Sequence, residues 1–232
     1  MVENAATSDL KLTERDVEIL GHIRRFRMTT SDVLHRLFFK GNEIDAVKSW
    51  ARRLRDADYL QTADLITPRK YLYLRPKAVR KLYGESGKMA QALGVFALAR
   101  QFGILSFCCL GETVHRKLTV FEFKDMFPSL ADNSLPKDFY YVDKSGATQR
   151  LGFIYVDHGC ANERIYQRYR RIVAQRYRIA AWRQEVIEPD RFTVAIVTAK
   201  PEKKKRIEEV FAERKPMVPY CVEAVPDLIH LV

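Results

Sequence analysis

Three short amphipathic helical patterns in close succession, running straight into two strand-like segments joined by a tight turn, constrain the first eighty-odd residues more than anything else in the chain. Over Leu12 to Phe26, Thr13 is placed to cap a helix with Asp16 three residues on, and Val17, Leu20 and Ile23 recur at helical spacing. Thr29 or Thr30 caps a second helix carrying Val33, Leu34, Leu37 and Phe38, and Gly41 with Asn42 turns the chain into a third. In that third helix Ile44, Val47, Ala51 and Leu54 share one side, with Trp50 read as a core aromatic, while Lys48, Ser49, Arg52 and Arg55 lie on the other. Leu60 to Ile66 and Tyr71 to Leu74 read as strands, and the link Thr67-Pro68-Arg69-Lys70 is expected to hold two cations at a hairpin tip. Helix, helix, basic helix and hairpin is the order of a winged helix-turn-helix.

In that architecture the third helix enters the major groove of duplex DNA. Lys48, Ser49, Arg52 and Arg55 are therefore the residues expected to read base edges, and Arg69, Lys70 and Arg24 those expected to hold phosphates. The charge balance agrees, since 40 Lys and Arg stand against 29 Asp and Glu, a formal net charge of +11 spread over both halves of the chain. Such a field attracts polyanions. No apolar stretch of transmembrane length, signal peptide or lipidation motif is present, so a cytoplasmic protein with no membrane partner is expected.

Several chemistries are disfavoured by spacing. Cys108, Cys109, Cys160 and Cys221 form no CxxC pair, and the adjacent Cys108 and Cys109 lie in an apolar run that reads as buried free thiols. His22, His35, His115, His158 and His230 have no paired metal-ligand spacing, and no Walker loop, GxGxxG or GxSxG occurs.

At 232 residues and 47% hydrophobic content the chain has material for two small cores. Pro76 to Tyr83 reads as a fourth helix and Gly84-Glu85-Ser86-Gly87 as a domain break. Residues 1–86 are assigned to the winged helix domain and 87–103 to a connecting helix, Met89 to Phe102, suited to dimerisation or to packing in a core. Residues 104–232 form a third segment, an α/β domain whose first apolar runs are Ile104 to Leu110 and Leu118 to Phe123. Within it, Asp138 to Val142 and Leu151 to Val156 make a hairpin about the turn Asp143-Lys144-Ser145-Gly146. A long helix from about Asn162 to Gln184, a strand over Phe192 to Thr198 and a helix from Pro201 follow, a rhythm that predicts an α+β chain with a mixed sheet.

The whole order resembles the replication-relaxation family of plasmids and other mobile elements. The resemblance rests on Leu12-Thr13-Glu14-Arg15-Asp16, Ile19-Leu20, Arg52-Arg53-Leu54 and Tyr71-Leu72-Tyr73-Leu74, then on His115, Asp138, Val156-Asp157-His158-Gly159, Tyr169 and Val197-Thr198. It implies a second domain related to the PD-(D/E)xK nuclease fold, in which acids on a hairpin bind a divalent metal and a lysine assists a water nucleophile. This chain departs from that pattern: Tyr155 stands where an acid is expected, and His158 and Gly159 follow Asp157 with no lysine two residues beyond it. The expectation is therefore an inactive nuclease-like domain without a cofactor. The alternative is an Mg²⁺-dependent nuclease or nicking accessory holding its metal on Asp138 and Asp157, with Glu163 joining.

The long helix carries Arg164, Arg168, Arg171 and Arg178 at spacings that place them on one side, with Arg170 and Arg176 nearby, and Tyr166, Tyr169, Val173, Tyr177 and Ala180 as the apolar stripe opposite. Its arginines are a second surface for DNA or for a partner subunit, and Lys203-Lys204-Lys205-Arg206 is a further cationic cluster. Taken together the residues predict a sequence-specific, homodimeric regulator of transcription or replication in a mobile element. A nuclease, or a module docking a replication or conjugation protein, are the alternatives.

Overall fold

The computed structural model describes residues 10–84, 90–144 and 148–232. The chain is α+β and divides after Gly94 into two compact units.

In the first unit, α1 (Glu14–Phe26) begins with a reciprocal cap, in which Asp16 N donates to Thr13 Oγ1 at 3.2 Å and Thr13 N donates to the Asp16 carboxylate at 2.9 Å. Thr30 starts α2 (Ser31–Phe38), its hydroxyl accepting from Val33 N. Helix α3 (Ile44–Asp56) follows, then the antiparallel strands β1 (Leu60–Ile66) and β2 (Arg69–Leu74), and α4 (Pro76–Tyr83), whose proline sits in the first turn. Ile19, Leu20 and Ile23 of α1 pack with Val47, Trp50, Ala51 and Leu54 of α3 and with Leu72 and Leu74. Val17 and Ile44, expected in that core, are 46% and 36% exposed. For α1 the core-facing register passes through Ile19 instead.

Asp16 is the polar hub of this unit. It is buried, and its Oδ1 accepts from Trp50 Nε1 at 2.8 Å and from Arg53 at 2.5 Å, so one carboxylate caps α1 and ties it to α3. These hydrogen bonds hold its pKa below the usual carboxylate value even though burial opposes them. The hairpin is anchored by Thr29, which exchanges two 2.9 Å backbone hydrogen bonds with Leu72 and adds a one-residue third lane to the ladder.

The second unit is a five-stranded sheet in the order β3 (Arg116–Lys117), β4 (Tyr140–Asp143), β5 (Arg150–Val156), β6 (Phe192–Thr198) and β7 (Tyr220–Ala224). The first two pairings are antiparallel and the last two parallel. Helix α5 (Val95–Cys109) covers one face; Gly103 there lies so close that a Cβ would sit 2.8 Å from a Val156 methyl carbon. The other face packs against α8 (Asn162–Tyr177) and α10 (Pro201–Arg214) through Ile165, Tyr169, Ile172, Val173, Ile207 and Phe211. Short helices α6 (Val120–Met126) and α7 (Pro128–Ala131) precede β4, while α9 (Ala180–Trp182) and a π-helical turn over Arg183–Ile187 precede β6. A 3₁₀ turn over Pro226–His230 closes the chain. No helix among the described residues is long and apolar enough to cross a membrane.

Four sequence expectations change. The connecting helix and the apolar run after it are one element, α5, so a boundary at 103/104 falls inside a helix; Met89 and residues 85–88 lie outside the described residues. Strand β4 starts at Tyr140, leaving Asp138 and Phe139 in the preceding loop. Of the turn that follows, Ser145 and Gly146 lie outside the described residues. The long helix stops at Tyr177, and its buried face runs through Ile165, Tyr166, Tyr169, Ile172, Val173 and Arg176, with Tyr177 and Ala180 exposed. Cys108 and Cys109 are buried and form no disulfide, as expected.

Candidate nucleic-acid interface

Because Val47, Trp50, Ala51 and Leu54 face the core, the helical period turns Lys48, Ser49, Arg52 and Arg55 outward together, and all four are exposed. Lys48 meets Asp45 at 2.7 Å, but both side chains are more than 60% exposed, which makes the pair weak. Arg52 and Arg55 have no ion-pair partner among the described residues. Two guanidiniums on one helical face are thus free to bond planar acceptor pairs such as the O6 and N7 of guanine.

The residues expected to grip phosphates are placed differently. The turn itself is Thr67-Pro68, and Arg69 and Lys70 are the first two residues of β2, opposite Ile66 and Asp64. Arg69 bonds Asp32 in the first turn of α2 at 2.9 Å, and Lys70 lies 4.0 Å from Asp64 across the ladder. Arg24 is half-buried and packs its guanidinium 4.4 Å from the centre of the Tyr83 ring. All three cations therefore have neighbours within the protein, which lowers what each offers to a phosphate.

In the second unit Asp138 is exposed in the loop before β4, whereas Asp157, just past β5, is 2% exposed. Its Oδ1 accepts from Cys160 N at 2.8 Å, and its Oδ2 accepts from the Thr198 hydroxyl at 3.3 Å and from Lys203 Nζ at 2.5 Å. A lysine does stand beside the acid, from the first turn of α10, 46 residues away and beyond the reach of a local motif. Glu163 is drawn to Arg214 at 2.7 Å. Among the described residues no three His, Cys, Asp or Glu side chains gather as metal ligands.

His115 is sandwiched between the rings of Phe107 and Tyr141, with Nδ1 3.9 Å from Asp143, and burial lowers its pKa. Tyr169 donates to Val218 O at 2.7 Å and accepts from Val218 N at 3.0 Å, a structural tie between α8 and the segment before β7.

Along α8, Arg164, Arg168, Arg171 and Arg178 are exposed, as the spacing requires. Arg176 is not one of this group. It is 1% exposed, bonds the Tyr140 hydroxyl and Ile172 O, and sits within 6 Å of the ring centres of Tyr140, Phe153, Trp182 and Phe192. No protein-family model, curated protein or solved structure matches the chain.

Proposed function

We propose that this protein binds duplex DNA sequence-specifically, with residues 10–84 acting as a winged helix-turn-helix and α3 as its recognition helix. The observation that carries the reading is the sorting of α3: one side locked to α1 through Trp50, Arg53 and Asp16, the other presenting Lys48, Ser49, Arg52 and Arg55 to solvent. Rigid support is what a base-reading helix needs, because bidentate contacts lose their selectivity when the donor fork is free to tilt. Support also comes from the order of elements, from the Thr29 to Leu72 ladder that fixes the hairpin beside α2, and from the net charge of +11.

Within this reading the second unit is a nuclease-like fold used for interaction rather than for metal-dependent cleavage; what supports this is that Asp157 already accepts from Cys160 N, the Thr198 hydroxyl and Lys203, so that a metal would have to displace the lysine. Together with the sequence resemblance to the replication-relaxation family, this favours a role as a transcriptional or replication regulator of a plasmid or other mobile element. The test is binding to labelled DNA from upstream of the protein's own gene against a shuffled duplex, at roughly 150 mM salt without divalent metal, where sequence-independent phosphate binding is strongly weakened. Preference for the upstream DNA supports the assignment, and equal weak binding to both rejects a regulator.

A further inference from the structure

Helix α8 presents a row of unpaired cations on one side of the second unit. Arg164, Arg168, Arg171 and Arg178 are exposed and form no ion pair among the described residues, in contrast to Arg214 and Arg183, which are held by Glu163 and Glu188. At 1.5 Å and 100° per residue, the four arginines fall within one stripe about 21 Å long, with Gln175 filling the remaining position. The burial of Ile165, Tyr169, Ile172, Val173 and Arg176 fixes the helix against rotation, so the stripe cannot turn inward.

Beside its N-terminal half lies a shallow groove of about 390 Å³ lined by Tyr155, Cys160, Arg164, Gln167, Arg168 and Arg171. It holds no acidic side chain. Burial raises the Tyr155 pKa, so the phenol stays protonated and keeps its hydroxyl hydrogen beside the arginines. Three guanidiniums with no carboxylate in the lining, strung along one side of a helix, suit a row of phosphates better than a single compact anion. Arg164 and Arg171 lie about 10 Å apart along the helix axis, a length over which a duplex strand presents more than one phosphate.

We propose that the α8 stripe and its groove form a second, sequence-independent DNA-binding face that takes the phosphodiester backbone of a duplex, with Arg164, Arg168 and Arg171 as the principal contacts. The assignment rests on the DNA-binding reading of the chain, and adds to it a surface that supplies affinity without selectivity.

The test uses the full chain, with fluorescence anisotropy on the upstream duplex and on a shuffled one across roughly 50 to 200 mM salt. R168E/R171E is compared with R168K/R171K and with Arg52→Ala, and unchanged melting temperatures establish that the variants are folded. The glutamate variant is expected to weaken both duplexes alike, roughly tenfold near 100 mM salt, and to flatten the plot of log affinity against log salt by about 2, as the loss of two phosphate contacts requires. The lysine variant keeps the charge and stays within about twofold of the parent. If R168E/R171E binds both duplexes as the parent does while Arg52→Ala still erases the preference, the α8 face is not a DNA surface and the recognition-helix reading stands. If the parent protein binds neither duplex, both assignments fall. Binding of polyglutamate that R168E/R171E abolishes, with duplex binding untouched, overturns the assignment in favour of an acidic protein partner.

Discussion

Arg176 donates to the Tyr140 hydroxyl at 2.6 Å in the interior of the second unit, and no carboxylate neutralises it among the described residues. Aromatic faces take that place, with the guanidinium 4.4 Å from the Phe153 ring centre and 5.2 Å from that of Trp182. Desolvation lowers the arginine's pKa, and it lifts that of Tyr140 to about 12, so the phenol stays protonated near neutral pH. Tyr140→Phe is expected to cost about 1–3 kcal/mol in urea unfolding, because it strands a buried charged donor. Arg176→Met, which retains bulk, should cost less than Arg176→Ala, for which about 3 kcal/mol or more is expected from the cavity and the orphaned hydroxyl.

Base reading by α3 separates two kinds of variant. Arg52→Ala or Arg55→Ala should lose about 1–3 kcal/mol of discrimination at one base position and little on a shuffled duplex. Lys70→Ala should weaken every duplex by a similar, smaller factor, as its proximity to Asp64 already dilutes its charge. Competition titrations with single-base variants of the upstream site measure both.

Acid should destabilise the first unit through His22. Its ring is packed against Phe26 and Phe38, with Nε2 3.2 Å from the Thr29 hydroxyl, and burial, then the charge of Arg25, pulls its pKa to about 4. The unfolded chain, with a pKa near 6.5, binds the proton first as pH falls, so stability is complete above about pH 6.5 and drains away toward pH 4. At pH 5 the loss is about 2 kcal/mol. His22→Gln should flatten that part of the urea-midpoint profile between pH 7.5 and 5.

Asp16→Ala removes the carboxylate half of the reciprocal cap on α1 and leaves Thr13 N, Trp50 and Arg53 without their acceptor, so a loss of about 3 kcal/mol or more is expected. Specific DNA binding should fall with it even where the variant is still folded, since α3 loses its anchor. Far-ultraviolet circular dichroism run beside the binding titration separates the two effects.

Much of the first unit was legible because its signals are local. Thr13 and Asp16 stand three residues apart, Thr30 precedes α2, and the period of α3 alone divides Lys48, Ser49, Arg52 and Arg55 from Val47, Ala51 and Leu54. What escaped depends on partners far along the chain. Helix α5 is apolar on nearly every side, so no period marks it, and Gly103, which resembles a break, is there because Val156 leaves no room for a Cβ. Arg176 reads as one more surface cation until the rings of Tyr140, Phe153 and Phe192 arrive from three separate strands. The cations at the hairpin were visible, whereas their pairing with Asp32 and Asp64 required the fold.

The bond between Lys203 and Asp157 bears on any encounter with a divalent ion. A metal arriving at Asp157 finds the carboxylate already holding a tethered cation, so it has to evict an ammonium carried on the first turn of α10 rather than fill an open berth. Occupancy becomes an exchange reaction in which the incumbent, joined to the same chain, is never diluted away.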